Sequence, residues 1–158
     1  MTSIHPFLWF DRDAEAAANF YCGIFENSKI TAVTRSPADN PSTKAGEVLT
    51  VAFKLDGNPF VALNGGRQGF DFNESISFVI DCETQKDVDY YWDKLTEGGK
   101  PGQCGWLKDQ FGVSWQVVPA GLGDVLFDQN PERAGRAMAA MMKMSKLDLD
   151  AMKRAANA

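Results

Sequence analysis

The sequence predicts an α+β protein in which one strand–helix unit occurs twice, and three stretches carry that prediction. HPFLWFDRDAEAAANFYCGIFENSKI reads as an aromatic strand, a tight acidic turn and an amphipathic helix. SISFVIDCETQKDVDYYWDKLTEGG repeats the theme, and CGWLKDQFGVSWQVVP reads as a turn and a final strand centred on Trp115 and Gln116. Two copies of one small module must be assembled, and such copies usually enclose a pocket. Function is expected in that pocket.

Each element has a local reason. Ile4 to Phe10 is almost wholly apolar, as suits a strand buried on both faces. Asp11 or Asp13 is placed to cap the helix that follows, with Glu15 favourable in its first turn. Ala17, Phe20, Tyr21 and Ile24 recur at the spacing of a helix lying on a sheet. Ile30 to Arg35 reads as a strand, and SPADNPSTKAG, rich in Ser, Thr and Pro, as a loop. Glu47 to Leu55 and Phe60 to Asn64 are strands joined by DGNP, whose residues tolerate turn dihedrals.

NGGRQGFDFNE then connects the modules, Ser75 to Asp81 is the next strand, and Thr84 is a helix N-cap. Val88, Tyr91, Trp92 and Leu95 stand 71 positions after the four stripe residues of the first helix. That constant offset supports an internal duplication. GGKPG breaks the second helix, and Cys104 to Asp109 with Val113 to Val118 complete the sheet. PERAGRAMAAMMKMSKLDLDAMKRAANA is helix-forming throughout, with Pro131 in a first turn. Met138, Met141, Met142 and Leu149 give it an adaptable apolar face, expected to pack against the sheet. The chain thus reads as a single domain, 1–158, with modules at 4–64 and 75–118 and C-terminal helices at 131–157.

Composition narrows the function classes. A hydrophobic fraction of 44% with 11% aromatic residues belongs to a globular protein. The net charge of −5 and the lack of a basic stripe argue against nucleic acid, which needs clustered Lys and Arg. Lys143, Lys146, Lys153 and Arg154 read as a solvated helix face. No apolar run approaches the roughly 20 residues of a membrane span, and MTSIHPF lacks the pattern of a signal peptide. Cys22, Cys82 and Cys104 are odd in number and widely spaced, which fits buried free thiols in a reducing cytoplasm.

PFLWFDRDAEAAANFY, VAFKLDGNPFVALNGG, SFVIDCETQKDVDYYWDKLTEGG and PGQCGWLKDQFGVSWQVVP, in this order and spacing, resemble the vicinal oxygen chelate superfamily. Its members include glyoxalase I, extradiol dioxygenases and bleomycin-resistance proteins. The likeness is greatest to its PhnB-like group, known as 3-demethylubiquinone-9 3-methyltransferase, and runs over about residues 4–155. The resemblance implies paired βαβββ modules of the glyoxalase/bleomycin-resistance/dihydroxybiphenyl dioxygenase type, a curved sheet around a cavity, and a homodimer. One departure stands out. Only 13 residues separate Gly98 from Gly112, too few for two full strands and a turn, so the second module's hairpin is expected to be truncated.

Metal-dependent members draw His, Glu or Gln ligands from four strand positions on the cavity face. Counted back from the capped helix, the first falls on Pro6, and alternation turns His5, the sole histidine, to the opposite face. The second falls near Asn64, the third on Ser75 or Ser77, and the fourth on Gln116. These are amides and hydroxyls, not the converging His, Cys and carboxylates that hold zinc, iron or manganese. No metal or other cofactor is therefore expected. Any Cys–His or Ser–His pair would have to use His5, and nothing places a nucleophile beside it. Trp115 should pack on a helix, whereas Trp106, beside the shortened hairpin, can face a ligand.

The reading that results is a metal-free cavity for a small, largely apolar organic molecule, lined by Asn64, Ser77, Trp106 and Gln116. One alternative is an enzyme, either the methyltransferase of the group's name or a metal-dependent lyase or dioxygenase. Another is a ligand-sequestering resistance protein. Methyl transfer from S-adenosylmethionine usually rests on a parallel sheet with a Gly-rich first turn, and here DRDAEA occupies that place.

Overall fold

The N-terminal apolar run becomes β1 (Phe7–Phe10) in the computed structural model, which describes residues 1–158. Leu8 and Phe10 are buried while Phe7 and Trp9 are exposed, so the strand is covered on one face only. This corrects the expectation of a strand buried on both faces. α1 (Ala14–Ile24) follows, then β2 (Lys29–Arg35), β3 (Val48–Leu55) and β4 (Asn58–Asn64). They form a four-stranded sheet in the order β1-β4-β3-β2, with β1 parallel to β4 and the other pairs antiparallel.

The helix-covered face of this sheet is the core of the first compact unit, Met1–Phe70. Ala14, Ala17 and Ala18 are fully buried, and their small side chains let the helix lie close to the strands. Tyr21 stacks on Phe53 with ring centroids 6.2 Å apart, and Phe53 stacks on Phe60 at 5.4 Å. Val51 and Ala62, paired across β3 and β4, complete the layer without exposed area. The β3–β4 hairpin turns at Asp56 and Gly57, both at positive φ, as the Asp-Gly pair requires.

The second unit, Asp71–Ala158, rebuilds the same plan. β5 (Phe78–Cys82), α2 (Gln85–Thr96), β6 (Lys100–Pro101), β7 (Trp106–Lys108) and β8 (Ser114–Pro119) form a sheet ordered β5-β8-β7-β6. Its first and last strands are again parallel. The identical order agrees with the duplicated stripe, and Val88, Trp92 and Leu95 are buried as Ala17, Tyr21 and Ile24 are. Thr84 caps α2 in a full capping box with Asp87. The hairpin is short, two residues in β6 and three in β7, as the 13-residue interval suggested. Gly99 permits it, because a Cβ there would lie 2.2 Å from the Lys108 carbonyl oxygen.

Asp109 sets the turn from β7 into β8. It is 3% exposed; its Oδ1 accepts from the N–H groups of Phe111 and Val113, and its Oδ2 from the Trp115 indole at 2.8 Å. Trp115 is thereby held on the α2 side of the sheet, where Phe78 packs on it at 5.3 Å.

Beyond β8 lie α3 (Leu122–Leu126), α4 (Pro131–Met141) and α5 (Leu149–Asn157). The stretch expected to be helical throughout is broken between Met142 and Asp148, where Asp148 caps α5 through the Ala151 N–H. Val125, Ala137, Met152 and Ala156 make a small core of their own, flanked by Leu122, Met141, Met144 and Leu149. The methionine face thus packs among helices and not on the sheet, and Met138 and Met142 remain exposed. The break itself joins the sheet. Cys104 and Gly105 donate their N–H groups to the carbonyls of Met144 and Ser145, and Lys146 pairs with Asp89 at 2.9 Å. No helix is long and apolar enough to cross a membrane.

One close approach in the first unit is directly testable. The Trp9 indole lies against Gly65 and donates to the Gly66 carbonyl at 2.8 Å, and a Cβ on Gly65 would fall 2.1 Å from the ring. Gly65→Ala should therefore cost about 1–3 kcal/mol in urea unfolding, and Trp9→Ala in the same chain should recover part of it.

Candidate functional site

A helix covers one face of each sheet, and within each unit the other face is left open. In the second unit this open face is defined by register. Trp106 pairs with Gln116, Val79 pairs with Gln116 from the other side, and Lys108 pairs with both Ser114 and Lys100. The Gln116 amide donates to the Ser77 hydroxyl at 2.9 Å. Three of the four expected ligand-binding residues, Ser77, Trp106 and Gln116, therefore share one face.

Trp106 also borders a cleft of about 480 Å³, lined by Glu74, Lys100, Pro101, Lys108 and Ser114 among others. Glu74 and Lys108 form an ion pair at 2.6 Å. That bond from Lys108 holds the Glu74 carboxyl below its ordinary range. The pair is thus charged at neutral pH and is lost as the pH falls through the depressed value. Neither Lys100 nor Glu74 was singled out in the sequence, where each is an isolated charge beside Gly or Asn. The cross-strand register brings them together, and no short motif encodes it.

Asn64 has a different position from the one expected. It pairs with Phe10 on the helix-covered face and is 8% exposed. Its Oδ1 accepts from the Ala14 N–H at 2.9 Å, the first residue of α1, and its Nδ2 donates to the Val48 carbonyl at 3.0 Å. Asp13, expected as a cap, makes no side-chain cap bond, so Asn64 fills that role from 50 residues away. The same register corrects His5. Leu8 and Phe10 lie under α1, so the parity of Pro6 is the covered one and that of His5 is the open one, shared with Phe7 and Trp9. His5 precedes β1 and is exposed.

The residues do not fit a transition metal. No three His, Cys, Asp or Glu side chains come together in the chain. Besides Lys100 and Lys108, the open face of the second sheet offers the Ser77 hydroxyl and the Gln116 amide, already bonded to each other. Of the three free cysteines only Cys82 is buried, a correction for Cys22 and Cys104. Burial raises the Cys82 thiol to about 11, so it is protonated at neutral pH.

The roles of the two amides separate under mutation. Asn64→Ala leaves a helix N–H and a strand carbonyl without partners and should cost about 1–3 kcal/mol in chemical unfolding. Gln116→Ala, on the open face, should cost less than about 1 kcal/mol.

The family model for 3-demethylubiquinone-9 3-methyltransferase matches residues 2–118. Among solved structures, the PhnB protein of Bacillus cereus, which carries the same methyltransferase description, is 32% identical with a TM-score of 0.69. That likeness covers 75% of this chain and 100% of the other. A Pseudomonas aeruginosa protein is 17% identical at a TM-score of 0.63, over 75% of this chain and 98% of its own. The fosfomycin-resistance protein FosX of Listeria monocytogenes, solved with Mn(II) and sulfate, is 13% identical at 0.54, over 80% and 95%. The last two share the fold. No curated protein matches the chain. The family match ends at residue 118, short of the residue 155 to which the resemblance was expected to run. From these matches and the repeated sheet order, the chain belongs to the 3-demethylubiquinone-9 3-methyltransferase family, a PhnB-like group with the glyoxalase/bleomycin-resistance/dioxygenase fold.

Proposed function

We propose that this protein binds a small, largely apolar organic molecule on the open face of its second sheet, as a cytoplasmic homodimer without a resident metal. The observation that carries this reading is the register that pairs Trp106, which borders the cleft, with Gln116 on the same face. Trp106 offers an aromatic surface, and the Ser77–Gln116 pair offers polar groups that orient a bound molecule. Asn64 has no part in it, since both its polar atoms hold backbone. Three free thiols suit a reducing compartment. Dimerisation is supported by β2, an edge strand exposed along almost its whole length.

The family's name favours a second reading, methyl transfer. Against it stand two sheets in the order first-fourth-third-second, in which only the first and fourth strands pair in parallel. A dinucleotide-type crossover, with a Gly-rich turn leading into a helix, has no counterpart here. Sequestration of a cationic drug would call for an uncompensated acid in the cleft, and Glu74 is held by Lys108.

Native mass spectrometry of the untagged protein tests the leading reading. The expected spectrum shows twice the 17.4 kDa chain mass, with an organic adduct that leaves on activation and no divalent metal. A monomer carrying one metal ion per chain would overturn it. Calorimetric titration with S-adenosylmethionine addresses the other reading. No binding is expected in the micromolar range, and binding there would restore the methyltransferase.

A further inference from the structure

Charge in the cleft beside Trp106 is unevenly distributed. Lys100 and Lys108 sit directly opposite each other in the β6–β7 ladder and both line the cleft, with Glu74 the sole other charged residue there. Like charges at directly paired positions destabilise a sheet, and this ladder has only two residue pairs in which to absorb the cost. Glu74 neutralises Lys108 at 2.6 Å. Lys100 takes part in none of the chain's ion pairs. A protein of net charge −5 therefore keeps two ammonium groups against one carboxylate at the edge of an aromatic surface.

We infer that the ligand of this cleft is an amphipathic anion, with an apolar or aromatic body set on Trp106 and a single acidic group drawn to Lys100. The inference rests on the binding reading above and adds the substrate class to it. Lys108 is not the anchor, because its ammonium is already held by Glu74. An exposed ammonium gains little from one distant charge, but more when the partner's apolar body is removed from water beside it.

A matched pair of dyes separates the two ideas. 8-Anilinonaphthalene-1-sulfonate and N-phenyl-1-naphthylamine share one aromatic skeleton, and only the first is an anion. Both are titrated into the full-length protein by fluorescence, with the site located by amide and indole N–H chemical shifts. The neutral dye should shift the Trp106 resonances and lose affinity in Trp106→Ala. The anionic dye should bind there about tenfold more tightly, a gap that closes at high salt. Lys100→Gln should remove the gap while leaving the neutral dye's affinity unchanged, which also shows that the variant is folded. Equal affinities in the wild type, or a gap that survives Lys100→Gln, would overturn the charge inference and leave the binding reading standing. Shifts confined to residues away from the cleft, with both dyes, would overturn both.

Discussion

One helix can cover only one face of a four-stranded sheet, and the rest of this structure depends on that limit. Each module of the chain carries one helix, seated through Ala17, Tyr21 and Ile24 or through Val88, Trp92 and Leu95. Each helix joins the first strand of its module to the second, which lies at the opposite edge of the sheet, so the helix must cross over one face. The covered face collects the apolar side chains, and whatever chemistry the chain carries is left to the other. That is why Asn64 and Gln116, both amides on the last strand of a module, have such different surroundings. The first is enclosed under α1 and holds it in place. The second faces away from α2 and bonds a neighbouring hydroxyl.

Much of the plan was legible because it rests on periodicity. The two helical stripes, the Asp-Gly hairpin and the Thr84 cap are signals contained within a few consecutive residues, and each has its expected structure. The repeated module order extends the same signal to the level of topology. β6 was not legible. Two residues, one of them proline, cannot show a period of two, and the flanking glycines read as a break. The broken C-terminal helix was missed for a related reason. Helical propensity runs through Met142 to Asp148, but hydrogen bonds to the β6–β7 turn override it.

The face assigned to β1 shows how a counting argument fails. Placing its residues by stepping back from the helix assumes a fixed number of residues in the turn, and one residue more or less inverts every side chain. Asp11 to Asp13 fill that turn here, and Leu8 and Phe10 come to lie beneath α1. A distant amide acting as the helix cap was equally out of reach. The sequence offered two aspartates next to the helix, whereas the acceptor used is fixed by β4 and reaches Ala14 only once the sheet exists. Ser77, Trp106 and Gln116 share the open face of the second sheet through the pairing of β8 with β5 and β7.

The short hairpin and the segment from Met144 to Lys146 are complementary. Truncating β6 and β7 leaves the turn at Cys104 and Gly105 with N–H groups that a longer ladder would have engaged, and the carbonyls of Met144 and Ser145 engage them. The Ser145 hydroxyl returns a bond to the Gly102 carbonyl on the same turn. The segment therefore acts as a splint for a strand pair too short to hold itself. Its residues lie beyond residue 118, where the family model's match ends. Loosening that segment would therefore cost β6 and β7 their outside support at the Cys104–Gly105 turn.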